Sequence, residues 1–201
     1  MDFGTTLSGS PEHAAPLLLG AHLVSSIGGG GQVTVRISEV EAYKGSDDPA
    51  SHAFRGRTRR NGSMFERPGT LYVYRSYGIH WCANVAAGPE GVGWGILFRG
   101  GEVVDGLGVA RARRGREDEL ANGPGKLAQA LGIDHSQNGG YLLDDSSPLR
   151  LEPGSPPDLV MATPRVGISQ ALDRPWRFVA VTAATGPTGR GETPRLPSPR
   201  Q

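Results

Sequence analysis

Val33, Val35 and Ile37 alternate with Thr34, Arg36 and Ser38, the period of two of a half-buried β-strand, within a segment covering 32–43. Ahead of it, "AHLVSSI" predicts another strand, joined through the four glycines at 28–31. "TLYVY" and "IHWCANVA" predict two strands connected through "RSYG", and "GWGILFR" a third. "LRLE", "DLVMATP" and "WRFVAV" supply the later strands. A short helix is expected over about Pro11 to Leu19, with Ser10 as N-cap and Pro11 at the first helical position. The segment 102–131 reads as mostly helical, and 44–68, rich in turn formers, as an irregular loop. Residues 1–10 read as a loose leader, and 185–201, rich in Pro, Gly and Arg with little to bury, as a disordered tail. The pattern therefore predicts an α+β fold: a single domain over 1–184, with a curved, mainly antiparallel β-sheet surrounded by short helices.

Composition narrows the class. At 201 residues the chain is large enough for one domain with a real core. No apolar run approaches the roughly 18 residues of a membrane span. Cys82 is the only cysteine, so a disulfide framework and CxxC metal chemistry are both out. A soluble protein of a reducing compartment is expected, cytoplasmic and nucleoid-associated if bacterial. The net charge is +1, which argues against nucleic-acid binding spread over the whole surface. The cations are lopsided, with 19 arginines against two lysines, Lys44 and Lys126. One basic face remains open to such a role, and the run Arg55, Arg57, Arg59, Arg60 could grip phosphates or could be a solvated loop.

Several familiar motifs fail. "GPGKL" lacks the spacing and the hydroxyl residue of a P-loop, and the glycines at 28–31 do not open a helix. The five histidines are scattered without partner cysteines, so no metal and no cofactor are expected.

Two places carry candidate chemistry. In an unbulged strand, Glu39, Glu41 and Tyr43 share one face, the continuation of the Val33, Val35, Ile37 core side, at about 6.6 Å per step. Carboxylates on an apolar face need partners. Either a bulge turns both to solvent, or one is a base able to take a proton from water beside an aromatic plate. The second place is "LYVYRSYGIHW", which holds three of the five tyrosines. Tyr72 and Tyr74 share a strand face, while Tyr77 falls at the turn, where a ring cannot repay its own burial. Enzymes that extrude a base from duplex DNA use such a side chain as a wedge. On the returning strand His80, Cys82 and Asn84 form a polar face that either lines a pocket or meets solvent.

These stretches also occur in a recognisable order: "EVEAYKG", a histidine at 52, an Arg-rich loop, "MF", "PGTLYVY", "YG", "CAN", "ILFRGGEVVDG", "NGPGKLAQALGI", "RVGI" and "PWRF". Over about 14–182 the chain resembles the alkyladenine (3-methyladenine) DNA glycosylase family. The resemblance implies a monofunctional enzyme that flips an alkylated or deaminated purine out of double-stranded DNA and hydrolyses its N-glycosidic bond, acting as a monomer without cofactor or metal. It implies Glu41 as general base for the attacking water, held together with Arg99 and main chain near Val166 and Gly167. Tyr43 and Tyr74 correspond to the rings that sandwich the base, with His52 and Asn84 as further pocket residues. Tyr77 corresponds to the intercalating residue, and Arg57, Arg60 and Lys126 to segments near phosphates. Glu39 matches the pattern without an assigned chemistry, and Tyr72 is taken as structural. The alternative from another class is a non-catalytic binder of damaged or distorted nucleic acid. A glycoside hydrolase working through Glu39 and Glu41 is a third, which the wedge and basic loop fit poorly.

Overall fold

The computed structural model describes residues 2–181. Eight strands form one sheet: β1 (His22–Ser25), β2 (Val33–Lys44), β3 (Leu71–Ser76), β4 (His80–Ala87), β5 (Trp94–Asp105), β6 (Leu149–Glu152), β7 (Leu159–Thr163) and β8 (Arg177–Val181). The order is β3-β4-β5-β2-β1-β6, with β8 added beside β2 and β7 beside β8. Every strand pairing is antiparallel. Four short helices, α1 (Phe3–Ser8), α2 (Pro11–Ala14), α3 (Leu107–Arg114) and α4 (Pro124–Leu131), surround the sheet, together with several 3₁₀ turns. The expected α+β architecture with a mainly antiparallel sheet is what the chain adopts.

Alternation divides the central strands between two faces. Leu71 and Val73, Ala83 and Val85, and Ile96 and Phe98 enter the main core. Their neighbours Tyr72, Tyr74, Cys82, Asn84, Leu97 and Arg99 look the other way, into a cavity. Strand β2 joins this scheme only through irregularity. Its register against β5 shifts between Ile37 and Glu39 and again between Glu39 and Val40. The β-bulge flips which residues face the core. Val33, Val35 and Ile37 are buried before it, and Val40 and Ala42 after it. Glu39, Glu41 and Tyr43 thus do not continue the core face. The bulge turns them to the opposite side, and that side is the cavity rather than solvent. At this crossing Gly101 allows close approach, since a Cβ there would stand 2.4 Å from Val35 Cγ1 and 2.5 Å from Arg36 O.

Two further expectations need correction and a third needs refining. Residues 2–10 are not loose. Asp2 caps α1 by accepting from the Gly4 N–H at 2.9 Å, and Phe3 and Leu7 are buried. A helix of six residues is too short to display an apolar period. The helix expected over Pro11 to Leu19 ends at Ala14 and continues as a 3₁₀ turn over Ala15–Leu18, since Pro16 has no N–H to sustain it. The segment 102–131 is helical over 16 of its 30 residues, in two separate helices rather than one continuous run. Strand β5 runs on to Asp105, α3 stops at Gly115 in the left-handed conformation, and α4 starts only at Pro124. The expected tail at 185–201 lies outside the described residues.

Candidate active site

The cavity has a volume of about 540 Å³. Strands β2 to β5 form its floor, while the 45–66 loop and the segment leading into β8 form its rim. Beneath the floor lies Glu41, with 0% of its surface exposed. Its carboxylate is held by three donors that themselves line the cavity. The Tyr43 hydroxyl donates to Oε2 at 2.8 Å and the Val166 N–H to Oε1 at 2.8 Å. Arg99 Nη1 approaches Oε2 at 3.4 Å, the longest of the three. Buried carboxylates persist only when so satisfied.

Arg99 is shared between two carboxylates. Its Nε donates to Glu39 Oε1 at 2.8 Å, and Arg177 Nε donates to the same oxygen at 2.6 Å. Burial pushes the Glu39 carboxyl up, but these two guanidiniums overcome it and hold the group below the usual carboxylate range. Behind the Tyr43 ring stands Arg165, its guanidinium 4.7 Å from the ring centroid and 5.3 Å from that of Trp176. Arg165 bonds Asp48 through both terminal nitrogens, at 2.5 and 2.9 Å, and the Ala42 carbonyl at 2.9 Å. Burial, then the charge of Glu41, raises the Tyr43 hydroxyl well above the usual phenol range, so it stays protonated and acts as a donor.

Aromatic groups fill the opposite wall. Tyr72 and Tyr74 stack at 5.7 Å between centroids, and His52 meets Tyr74 edge-on at 4.5 Å. His52 Nδ1 lies 3.2 Å from the Tyr72 hydroxyl, which burial pushes up to about 12. Although one edge of His52 is open to solvent, burial of the ring and then the charge of Arg60 lower its pKa. Asn84 donates its side-chain amide to the Tyr72 carbonyl at 3.2 Å and lines the cavity. Burial also raises the Cys82 thiol.

At the cavity mouth the β3–β4 hairpin turns through Tyr77, Gly78 and Ile79, closed by the Ser76–His80 pair. Tyr77 is 89% exposed and has φ +50°, an uncommon conformation for a bulky residue. Gly78, at φ +70°, completes the turn. Of the three cations expected near phosphates, Arg60 lines the cavity. Arg57 stands outside it, paired with Glu66 at 2.6 Å, and Lys126 is likewise outside, bonded to Glu119 and Asn122 at 2.9 Å each. Lys44 points away from Tyr43 into an ion pair with Glu12 and lies over the Trp94 ring. Neither lysine of the chain therefore lines the cavity.

The structure thus brings Tyr43, His52, Tyr74, Asn84, Arg99, Tyr77 and Arg60 to one cavity and seals Glu41 beneath it. Sequence reasoning missed Asp48, Arg165 and Arg177, and left Glu39 without a purpose. Arg165 opens the "RVGI" stretch and Arg177 lies in "PWRF", both noted only as ordered matches. A lone arginine in an apolar stretch is a signal of a buried ion pair, but it does not name its partner.

A family model described as methylpurine-DNA glycosylase matches residues 5–184. A protein of Rhodococcus jostii is 50% identical over 84% of this chain and 76% of its own length. One from Nocardia farcinica is 52% identical over 84% and 82%, and one from Nitrosospira multiformis 48% identical over 85% and 86%. All three carry the name "Putative 3-methyladenine DNA glycosylase". The family match runs through the whole cavity-forming part of the fold, and the chain belongs to the methylpurine-DNA glycosylase family.

Proposed function

We propose that the cavity receives a damaged purine turned out of duplex DNA and that Glu41 is the general base of its excision. The chain is a base-excision-repair DNA glycosylase, a hydrolase of N-glycosyl bonds. The observation that carries the proposed roles is the fully buried Glu41 beneath a cavity walled by tyrosines. A water entering between Glu41 and Arg99, at the longest of the three contacts, gives its proton to the carboxylate as its oxygen bonds the sugar C1′. The bond from C1′ to the purine nitrogen breaks and its electron pair leaves with the base. A 3- or 7-methylated purine carries positive charge, so it departs neutral. The positive charge also favours the aromatic faces of Tyr43 and Tyr74, by about 0.5–2 kcal/mol.

His52 and Asn84 complete the base pocket, and Tyr77 fills the gap left in the helix. Arg60 contacts phosphate near the mouth, with Arg57 and Lys126 further out, once DNA competes with their present carboxylate partners. With both lysines tied elsewhere, hydrolysis proceeds without a Schiff base, consistent with a monofunctional enzyme. The proposed working form is a monomer acting on double-stranded DNA in the cytoplasm. No helix among the described residues is long and apolar enough to cross a membrane. The test is release of free base from duplexes carrying 3-methyladenine or hypoxanthine. Glu41→Gln should abolish release and keep lesion binding, whereas unchanged turnover would remove Glu41 from the mechanism.

A further inference from the structure

Resting on that reading of Glu41, we propose that Glu39 is a positioning residue for the reaction: it aims Arg99 and offsets the guanidinium charges of Arg99 and Arg177. Glu39 sits inside the β2 bulge, where the strand swaps faces, and it clamps side chains from both neighbouring strands. Arg99 reaches it from β5 and Arg177 from β8, both through Nε and both to the same oxygen, Oε1. With Nε held on Glu39, Arg99 directs Nη1 at Glu41. Arg177 is braced in turn, its Nη1 3.1 Å from the Thr163 hydroxyl on β7. The clamp is mostly buried, with side-chain exposures of 15% for Arg99, 18% for Arg177 and 20% for Glu39. Its charges are therefore weakly screened.

Glu39, Glu41, Arg99 and Arg177 together sum to zero. Without Glu39 the balance becomes one carboxylate against two guanidiniums. The other groups around Glu41 do not restore it. Tyr43 on the same strand is a neutral donor, Tyr74 on β3 and Cys82 on β4 remain protonated, and Arg165, from the segment before β8, is matched by Asp48. Removing Glu39 therefore leaves uncompensated positive charge beside the groups that hold the water, which a pH–rate profile reads. Freed from its anchor, Arg99 also no longer holds a fixed place for the water, and misplacement of that order costs up to about 100-fold in rate.

The experiment is the single-turnover rate of hypoxanthine release over about pH 5 to 9, for the wild type, Glu39→Gln, Arg177→Gln and the double variant. Glu39→Gln should lower the plateau by roughly 10- to 100-fold and move the acid limb to lower pH. Arg177→Gln alone should move that limb to higher pH, and adding it to Glu39→Gln should bring the limb back towards wild type. The single arginine variant carries the test if Glu39→Gln does not fold. An acid limb that stays fixed in the variants that fold, whatever happens to rate or melting temperature, overturns the proposal and leaves Glu39 a structural tie. Glu41→Gln in the same assay separates the two readings. If it retains turnover the assignment of Glu41 fails; if it is dead while the limb stays fixed, only the role of Glu39 fails.

Discussion

Tyr43 donates its hydroxyl hydrogen to Oε2 of Glu41 at 2.8 Å, from two positions further along the same strand. The contact exists because the bulge turns both residues to the cavity side together. Tyr43→Phe keeps the ring and removes the donor. A hydrogen bond to a charged group contributes about 1.5–3 kcal/mol, so base release should slow roughly 10- to 100-fold. Affinity for lesion DNA should change little, because the aromatic face remains. Single-turnover release and equilibrium binding measured on one preparation check both halves, and a wild-type rate would free the hydroxyl of any part in catalysis.

Tyr77 presents a different balance, because its ring touches solvent and its backbone is held at φ +50°. The left-handed conformation costs a non-glycine residue about 1–2 kcal/mol. Tyr77→Gly should therefore leave stability unchanged or raise it by about 1 kcal/mol, while weakening lesion binding by at least about tenfold. Urea denaturation and binding to a duplex with a single lesion test this pairing. A loss of folding would instead make Tyr77 part of the core.

Much of this architecture can be read from the residues alone. Period-two alternation announces β2, β3 and β4, and the Tyr72–Tyr74 face and the Tyr77 turn follow from their spacing. The bulge at Glu39 does not, because the residues Ser38, Glu39 and Val40 carry no glycine or proline to mark it; it arises where β5 and β8 pair with the strand from its two sides. That one irregularity decides whether Glu41 faces core or cavity. Arg165 and Asp48 lie 117 positions apart, and their pairing is a product of tertiary packing. Helix α1 was hidden by its shortness; Leu7 is buried in the main core, and its carbonyl accepts from the Gly88 N–H of the β4–β5 connection at 2.7 Å.

His52 offers a pH test of substrate charge. Burial of the ring and then the neighbouring Arg60 hold its pKa below the ordinary 6.5, so the ring is neutral at pH 7 and takes a proton only in more acid solution. Protonation would place a second positive charge beside a methylated, cationic purine. Even at water-like dielectric two such charges about 4 Å apart oppose each other by about 1 kcal/mol, or about fivefold in affinity. In the Glu41→Gln background, binding to 7-methylguanine duplexes should weaken relative to hypoxanthine duplexes as pH falls below 6.5. The ratio should stay flat when His52→Gln is added. A ratio independent of pH with His52 present would place the imidazole out of reach of the base.

The sealed pair behind Tyr43 governs stability. Both side chains of Asp48 and Arg165 have no exposed surface, and removing one partner of such a pair costs about 3–5 kcal/mol. Asp48→Asn should lower the melting temperature by roughly 6 to 20 °C at neutral pH. Burial pushes the Asp48 carboxyl up, but the bonds and charge of Arg165, with the N–H groups of Lys44 and Ala50, hold it below its ordinary 3.8. The folded form thus binds this proton less readily than the unfolded chain. The contribution of Asp48 is complete above the ordinary value and is lost as pH falls through the lower folded one. Wild-type stability should therefore drop in that acid window, and the Asn variant, already without the charge, should show a shallower fall. Glu39, whose pKa is also depressed, keeps some slope in both. Urea denaturation across the acid range measures the difference, and an Asn variant within about 1 kcal/mol of wild type at pH 7 would show that the pair does not hold the fold together.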